Sequence, residues 1–279
     1  MTTTTPPSSW TANPLLDPKG VTFRESRDST EHPTSLAIAV LFDVTGSMRN
    51  VPRGMQKKLG ELFSLLMLRG YTEHPQVLFG AIGDAACDNV PLQIGQFESD
   101  NRVDANLEAI LLEGGGGGGA QESYELAMYF MARHTSTDCL EQRNHRGYLF
   151  IIGDEAPYPN VKHLEVEKTI GDTLPQDIPT ATIVAELQEQ YDTYLIRPGG
   201  ASYRPGDATG DKIIETWRAL LGSQNVIDLP DPDAVCETIA LTVGLAEGAI
   251  KDLEEGIEHL AEAGSDAGDA VGKALSNLS

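Results

Sequence analysis

Three runs of unbroken apolar, strand-forming residues each stop at an acid: "SLAIAVLFD" at Asp43, "QVLFGAIGD" at Asp84 and "GYLFIIGD" at Asp154. A run that is apolar at every position hides both of its faces, as parallel strands do when helices cover each side of the sheet. Parallel neighbours need long crossovers, and stretches of helical spacing stand between the runs. Met55, Leu59, Leu62, Phe63 and Leu66 form one such stretch, closed by Gly70. Residues 102–113, "ESYELAMYFMARH", "TATIVAELQEQY" and "GDKIIETWRALLG" form others. "PLQIGQF" (91–97) begins with a proline suited to a sheet edge. "DTYLIRP" (192–198) and "NVIDLP" (225–230) bring the strands to six. The expected class is α/β, a doubly wound, Rossmann-like, mostly parallel sheet with helices on both faces. Such sheets bind ligands beyond the carboxyl ends of their strands, where strand order reverses. Asp43 and Asp154 end strands in that kind of place.

The flanks differ in composition. Residues 1–34 are rich in Thr, Pro and Ser and are expected to be a flexible leader, with the domain proper over 35–247. Residues 248–279 read as an acidic, amphipathic helical tail. Ala246, Ile250, Leu253, Ile257, Leu260, Ala267 and Val271 form its narrow apolar stripe, suited to its own domain or to self-association. The chain of 279 residues carries 42 acids against 20 bases, a formal charge of −22. That balance argues against nucleic acid and anionic membrane as partners, and favours a metal or a cationic surface. Cys87, Cys139 and Cys236 are odd in number and in no metal spacing, so they read as reduced thiols. Without a secretion signal or a membrane-length apolar run, a cytoplasmic protein is expected.

"AVLFDVTGSMRN" (39–50) carries the chemistry. An acid at a strand end, followed by hydroxyls at Thr45 and Ser47, aims several oxygens at one point, and Gly46 permits the turn between them. Hard divalent cations take oxygen ligands, Mg²⁺ in octahedral geometry with some waters kept. An ion held directly by neutral hydroxyls stays under-neutralised and seeks an anionic ligand from outside. That makes a docking point.

These residues resemble the first metal motif of the von Willebrand factor type A (vWA) domain, Asp-x-Ser-x-Ser, with Thr45 in place of the commoner Ser. "FGAIGDAACD" is similar to that family's second-strand segment. "QFESDNRVDANLEAILLEGGGGGGAQESYELAM" resembles the subgroup with a Gly-rich loop and Pro-Glu-Asp before a helix, and "LFIIGDEAPY" resembles its fourth strand. The resemblance covers about residues 35–245. It implies one antiparallel edge strand and a metal ion-dependent adhesion site (MIDAS) between the first and fourth strands. It also implies Thr45 and Ser47 as direct ligands, with Asp43 and Asp154 taking coordinated waters or ligating. The third motif departs from the usual Thr. Glu122 aligns best with the subgroup's acid and Ser123 is the adjacent hydroxyl, so both are metal candidates. A carboxylate there would neutralise more of the ion's charge and weaken capture of an acidic partner.

Around this centre, Asp84, Tyr203 and Arg204 are candidates for a partner-binding rim, and the six glycines (114–119) for a flexible loop approaching the metal. The expected function is a non-enzymatic module that holds Mg²⁺ (or Mn²⁺ or Ca²⁺) and recruits a protein donating a carboxylate or another oxygen. A phosphate-ester hydrolase with Asp43 as nucleophile is one alternative. It lacks the second Asp such enzymes place two residues on, where this chain has Thr45. A metal-independent scaffold acting through the tail is the other.

Overall fold

The apolar runs fold into the inner strands. The computed structural model describes residues 10–276. Six strands form the central sheet: β1 (Leu36–Asp43), β2 (Pro75–Ile82), β3 (Leu92–Ile94), β4 (Gly147–Ile152), β5 (Tyr191–Pro198) and β6 (Val226–Leu229). Their order is β6-β5-β4-β1-β2-β3. All neighbours pair in parallel except β2 with the edge strand β3, which is antiparallel. Every residue of β1, β2 and β4 is buried, as runs without polar alternation require. The chain grows outward from β1 on one side through β2 and β3, then returns to lay β4 on β1's other flank. Strand order therefore reverses between β1 and β4, and a crevice opens beyond their carboxyl ends.

The helices are α1 (Val51–Lys58), α2 (Leu62–Leu68), α3 (Arg102–Glu108), α4 (Tyr124–Arg133), α5 (Asp138–Arg143) and α6 (His163–Thr169). They continue with α7 (Thr180–Gln188), α8 (Ala208–Leu221), α9 (Val235–Ala246), α10 (Leu253–Glu262) and α11 (Gly268–Leu275). The first two, α1 and α2, pack with α9, while α4 packs on α7 and α7 on α8. Helix α4 sits deepest: nine of its ten residues are buried, Glu125 among them.

One flank differs from expectation and the other is described more closely. Residues 1–9 of the expected leader lie outside the described residues, but the rest of it is built into the fold. Leu16 is fully buried, its carbonyl accepts from the Ile94 amide at 2.8 Å, and Arg24 Nη2 donates to the Ile94 carbonyl at 2.9 Å. Arg24–Ser26 also pairs in parallel with Thr135–Thr137. A short antiparallel edge such as β3 leaves backbone groups unpaired, and this segment covers them. In the tail, the expected stripe is divided between α10 and α11, separated by Gly264 at φ 78°. Ile250, Leu260, Val271 and Leu275 are buried within the molecule, and α11 lies on α9 and β6. These four residues pack within the chain's own domain.

Candidate metal centre

A chain leaving a buried strand must satisfy its last polar groups at once. At the end of β1 the Asp43 carboxylate does this. Oδ1 accepts from the Thr45 amide and hydroxyl, both at 2.7 Å, and Oδ2 accepts from the Tyr124 hydroxyl at 2.5 Å. Tyr124 reaches that far because residue 153 is glycine, where a Cβ would collide with the phenol. The Thr45 hydroxyl lies 3.2 Å from Ser47 Oγ. From β4's side, Asp154 Oδ1 accepts from Ser47 Oγ at 2.8 Å, and Glu155 Oε2 accepts from the same hydroxyl at 3.1 Å. Asp154 Oδ2 is held by the amides of Ser202 and Tyr203, at 2.9 and 3.0 Å, from the loop after β5. Strands β1 and β4 thus bring the Asp43, Thr45, Ser47 and Asp154 side chains into one hydrogen-bonded network.

Oxygens of Asp43, Asp154 and Glu155 lie within 4.8 Å of one another. Ligands on opposite sides of a Mg²⁺ or Ca²⁺ ion are about 4–5 Å apart, so the spread suits one hard cation. All the donors are oxygen, which favours such an ion over softer metals. Among the described residues none of the carboxylates of Asp43, Glu122, Asp154 and Glu155 has an ion-pair partner. The nearby Arg197 pairs with Asp228 instead. Burial first, and then the neighbouring negative charges, raise Asp43 and Glu155 each to about 7. Burial first, and then the neighbouring Glu155 carboxyl, raise Glu122 as well. Glu122 Oε2 is buried with no hydrogen-bond partner. A group of unpaired acids with an orphaned oxygen lacks positive charge, which a divalent cation would supply.

A cavity of about 330 Å³ opens over this network, lined by Ser47, Glu122, Glu155, Ser202, Tyr203 and glycines of the Gly-rich loop. The loop is tied down at its start, against expectation. Gly114 donates to the Val44 carbonyl, Gly115 accepts from Gly46 at 2.7 Å, and Gly116 donates to Asp88 Oδ1 at 2.8 Å. Gly116 has φ 103°, and a Cβ there would lie 2.8 Å from Glu122 Oε1. Glycine is what lets backbone approach the acid.

Not every sequence candidate reaches the cavity. Ser123 stands at the start of α4 without capping it through its side chain, and its Oγ accepts from the Ala85 amide at 2.9 Å, which turns it to the β2 loop. Asp84 is buried behind the glycines, where Tyr158 donates to it at 3.2 Å. Arg204 lies exposed on the loop after β5, while its neighbour Tyr203 lines the cavity and donates to the Gly119 carbonyl at 2.7 Å. Sequence reasoning passed over Glu155 and Tyr124. Glu155 had a signal, a second acid directly after the strand-ending Asp154. Tyr124 had none, since nothing local tells which apolar-face residue of α4 meets β1.

Comparison with known proteins bears on the fold. No protein-family model and no curated protein matches the chain. Among solved structures it is similar to the pilus adhesin SpaC of Lactobacillus rhamnosus GG in its open conformation. There the TM-score is 0.56 at 10% identity, covering 79% of this chain and 31% of the adhesin. A second form of that adhesin gives 0.51, 10%, 79% and 32%. The fold is vWA-like. Proximal thread matrix protein 1 of the mussel byssus, in a structure with a zinc-occupied MIDAS motif, has a TM-score of 0.48. Its identity is 11%, over 76% of this chain and 48% of that one. The vWA-like chain thus spans about a third of the adhesin it most resembles among these. None of its described helices is long and apolar enough to cross a membrane.

Proposed function

We propose that this vWA-like chain is a non-enzymatic binding module that holds one divalent cation at the β1–β4 crevice and recruits a protein partner through it. Ser47 and Thr45 are the hydroxyl ligands, and Asp154, Glu155 and Glu122 surround the ion with carboxylate. Asp43, fully enclosed, orients Thr45. The observation that carries the reading is the convergence of Asp43, Asp154 and Glu155 oxygens within 4.8 Å beneath an open cavity. The ion is Mg²⁺, with Mn²⁺ and Ca²⁺ as substitutes, because every donor is a hard oxygen.

Glu122 and Glu155 add charge that a site of neutral hydroxyls would lack. The ion is therefore well neutralised, and the partner's oxygen, carboxylate or carbonyl, adds orientation more than binding strength. Two observations disfavour the hydrolase alternative. Asp43 does not line the cavity, and both of its carboxylate oxygens are held by Thr45 and Tyr124, which blunts it as a nucleophile. The charge of −22 supports a protein partner over nucleic acid or anionic membrane, in a cytoplasmic setting. Thermal denaturation with Mg²⁺ or Mn²⁺ against chelator tests the ion. The expected rise in Tm disappears in Ser47→Ala. An equal rise in that variant would contradict the assignment.

A further inference from the structure

A second, larger cavity of about 840 Å³ lies on the other side of the wall formed by Gln121–Glu122 paired with Ala156–Pro157. Glu122 and Glu155 line the metal cavity, whereas Gln121, Ala156 and Pro157 line this one. The groove continues along α7 and α8, and its lining is mostly apolar, with Ile213 and Leu220 on the α8 side. Its volume falls in the range of small-molecule clefts, about 300–1,000 Å³.

Most of the polar side chains in the lining are already engaged, the Thr209 hydroxyl aside. Gln121 Nε2 donates to the Pro157 carbonyl, Thr180 Oγ1 to the Tyr158 carbonyl, Thr216 Oγ1 to the Lys212 carbonyl, and the Tyr158 hydroxyl to Asp84. The one cation in the lining is Lys212, whose ammonium has no ion-pair partner among the described residues, in a chain with twice as many acids as bases. An apolar trough with one free cation in its lining is complementary to an apolar body carrying a carboxylate. The lining also discriminates between sources of that chemistry. Three of the lining residues, Pro157, Pro159 and Pro179, have no N–H to offer a peptide backbone. A peptide laid here would leave its carbonyls unpaired, at a cost of about 1–3 kcal/mol for each one buried. A hydrocarbon chain needs no such partners.

We propose that this groove binds a free aliphatic carboxylic acid, with the chain against Ala156, Pro157, Ile213 and Leu220 and the carboxylate on Lys212. The proposal does not depend on the metal. Calorimetric titration of decanoate into the full chain, in chelator, tests it. Saturable one-to-one binding is expected, weakened about tenfold by Lys212→Glu and abolished by Ala219→Trp. Position 219 is an exposed site on α8, so the indole fills the groove without disturbing the core. Mn²⁺ binding should be unchanged in both variants. Decylammonium binding as tightly as decanoate would overturn the proposal. So would decanoate binding that neither variant alters, no saturable binding up to about 1 mM, or an apolar peptide that displaces decanoate more readily than decanoate displaces itself.

Discussion

Asp43 shows how one residue can be structural and functional at once. Its carboxylate is fully buried, held by Tyr124 and Thr45, and raised to about 7 from an ordinary value near 3.8. The sign of its pH dependence follows. An acid whose pKa is higher folded than unfolded resists ionisation in the fold, so the ion-free protein loses stability as pH climbs from about 4 through 7. A bound cation reverses this by favouring the ionised form, and Glu155 acts in the same direction. The difference in Tm between metal-loaded and chelated protein should therefore widen from pH 5.5 to pH 8, while apparent affinity rises up to about tenfold per pH unit for each proton displaced. Differential scanning fluorimetry across that range checks it. Asp43→Asn removes one of the two groups raised to about 7, so the chelated variant should lose part of its stability dependence there, and its response to metal should weaken.

Among the elements, the inner strands were readable because burial on both faces leaves a signature in every residue, as "LAIAVLFD" does over Leu36–Asp43. The segment covering β3 was not readable. Its anchoring depends on Leu16 and on backbone hydrogen bonds to Ile94, and a Thr- and Pro-rich composition carries no trace of either. Leu16→Ala should cost about 2–5 kcal/mol in chemical denaturation, as for other fully buried leucines. A free leader would give a change within about 0.5 kcal/mol. Helix α8 is a second case. Trp217 is completely buried edge-on to Tyr124, with ring centroids 5.4 Å apart. Its Nε1 also donates to the Glu155 carbonyl at 2.8 Å, a link to the site that helical periodicity could not reveal. Trp217→Ala should cost about 3–5 kcal/mol and reduce metal affinity as well. Trp217→Phe, which keeps the ring but not the N–H, separates the two effects in the same denaturation and titration assays.

For the whole molecule, the site results from topology. Asp43 and Asp154 are over a hundred residues apart in sequence and meet only because β4 returns to the flank of β1. The sequence located both acids at strand ends, and the reversal of strand order supplies their convergence. Side-chain direction within the loops was beyond sequence reasoning: Ser123 turns to Ala85, Asp84 to Tyr158, and Glu155 takes the place beside Glu122. The large negative charge attracts cations to the whole surface, so diffuse binding must be separated from a single held ion. Salt screens exposed charges over a Debye length of about 8–10 Å but affects a buried cluster far less. The most direct test is a calorimetric titration of Mn²⁺ at pH 8 in screening salt, comparing the natural chain with Ser47→Ala and Asp154→Asn. One ion per chain, lost or much weakened in both variants, is the predicted result; binding that does not saturate, or saturates equally in all three proteins, would contradict it.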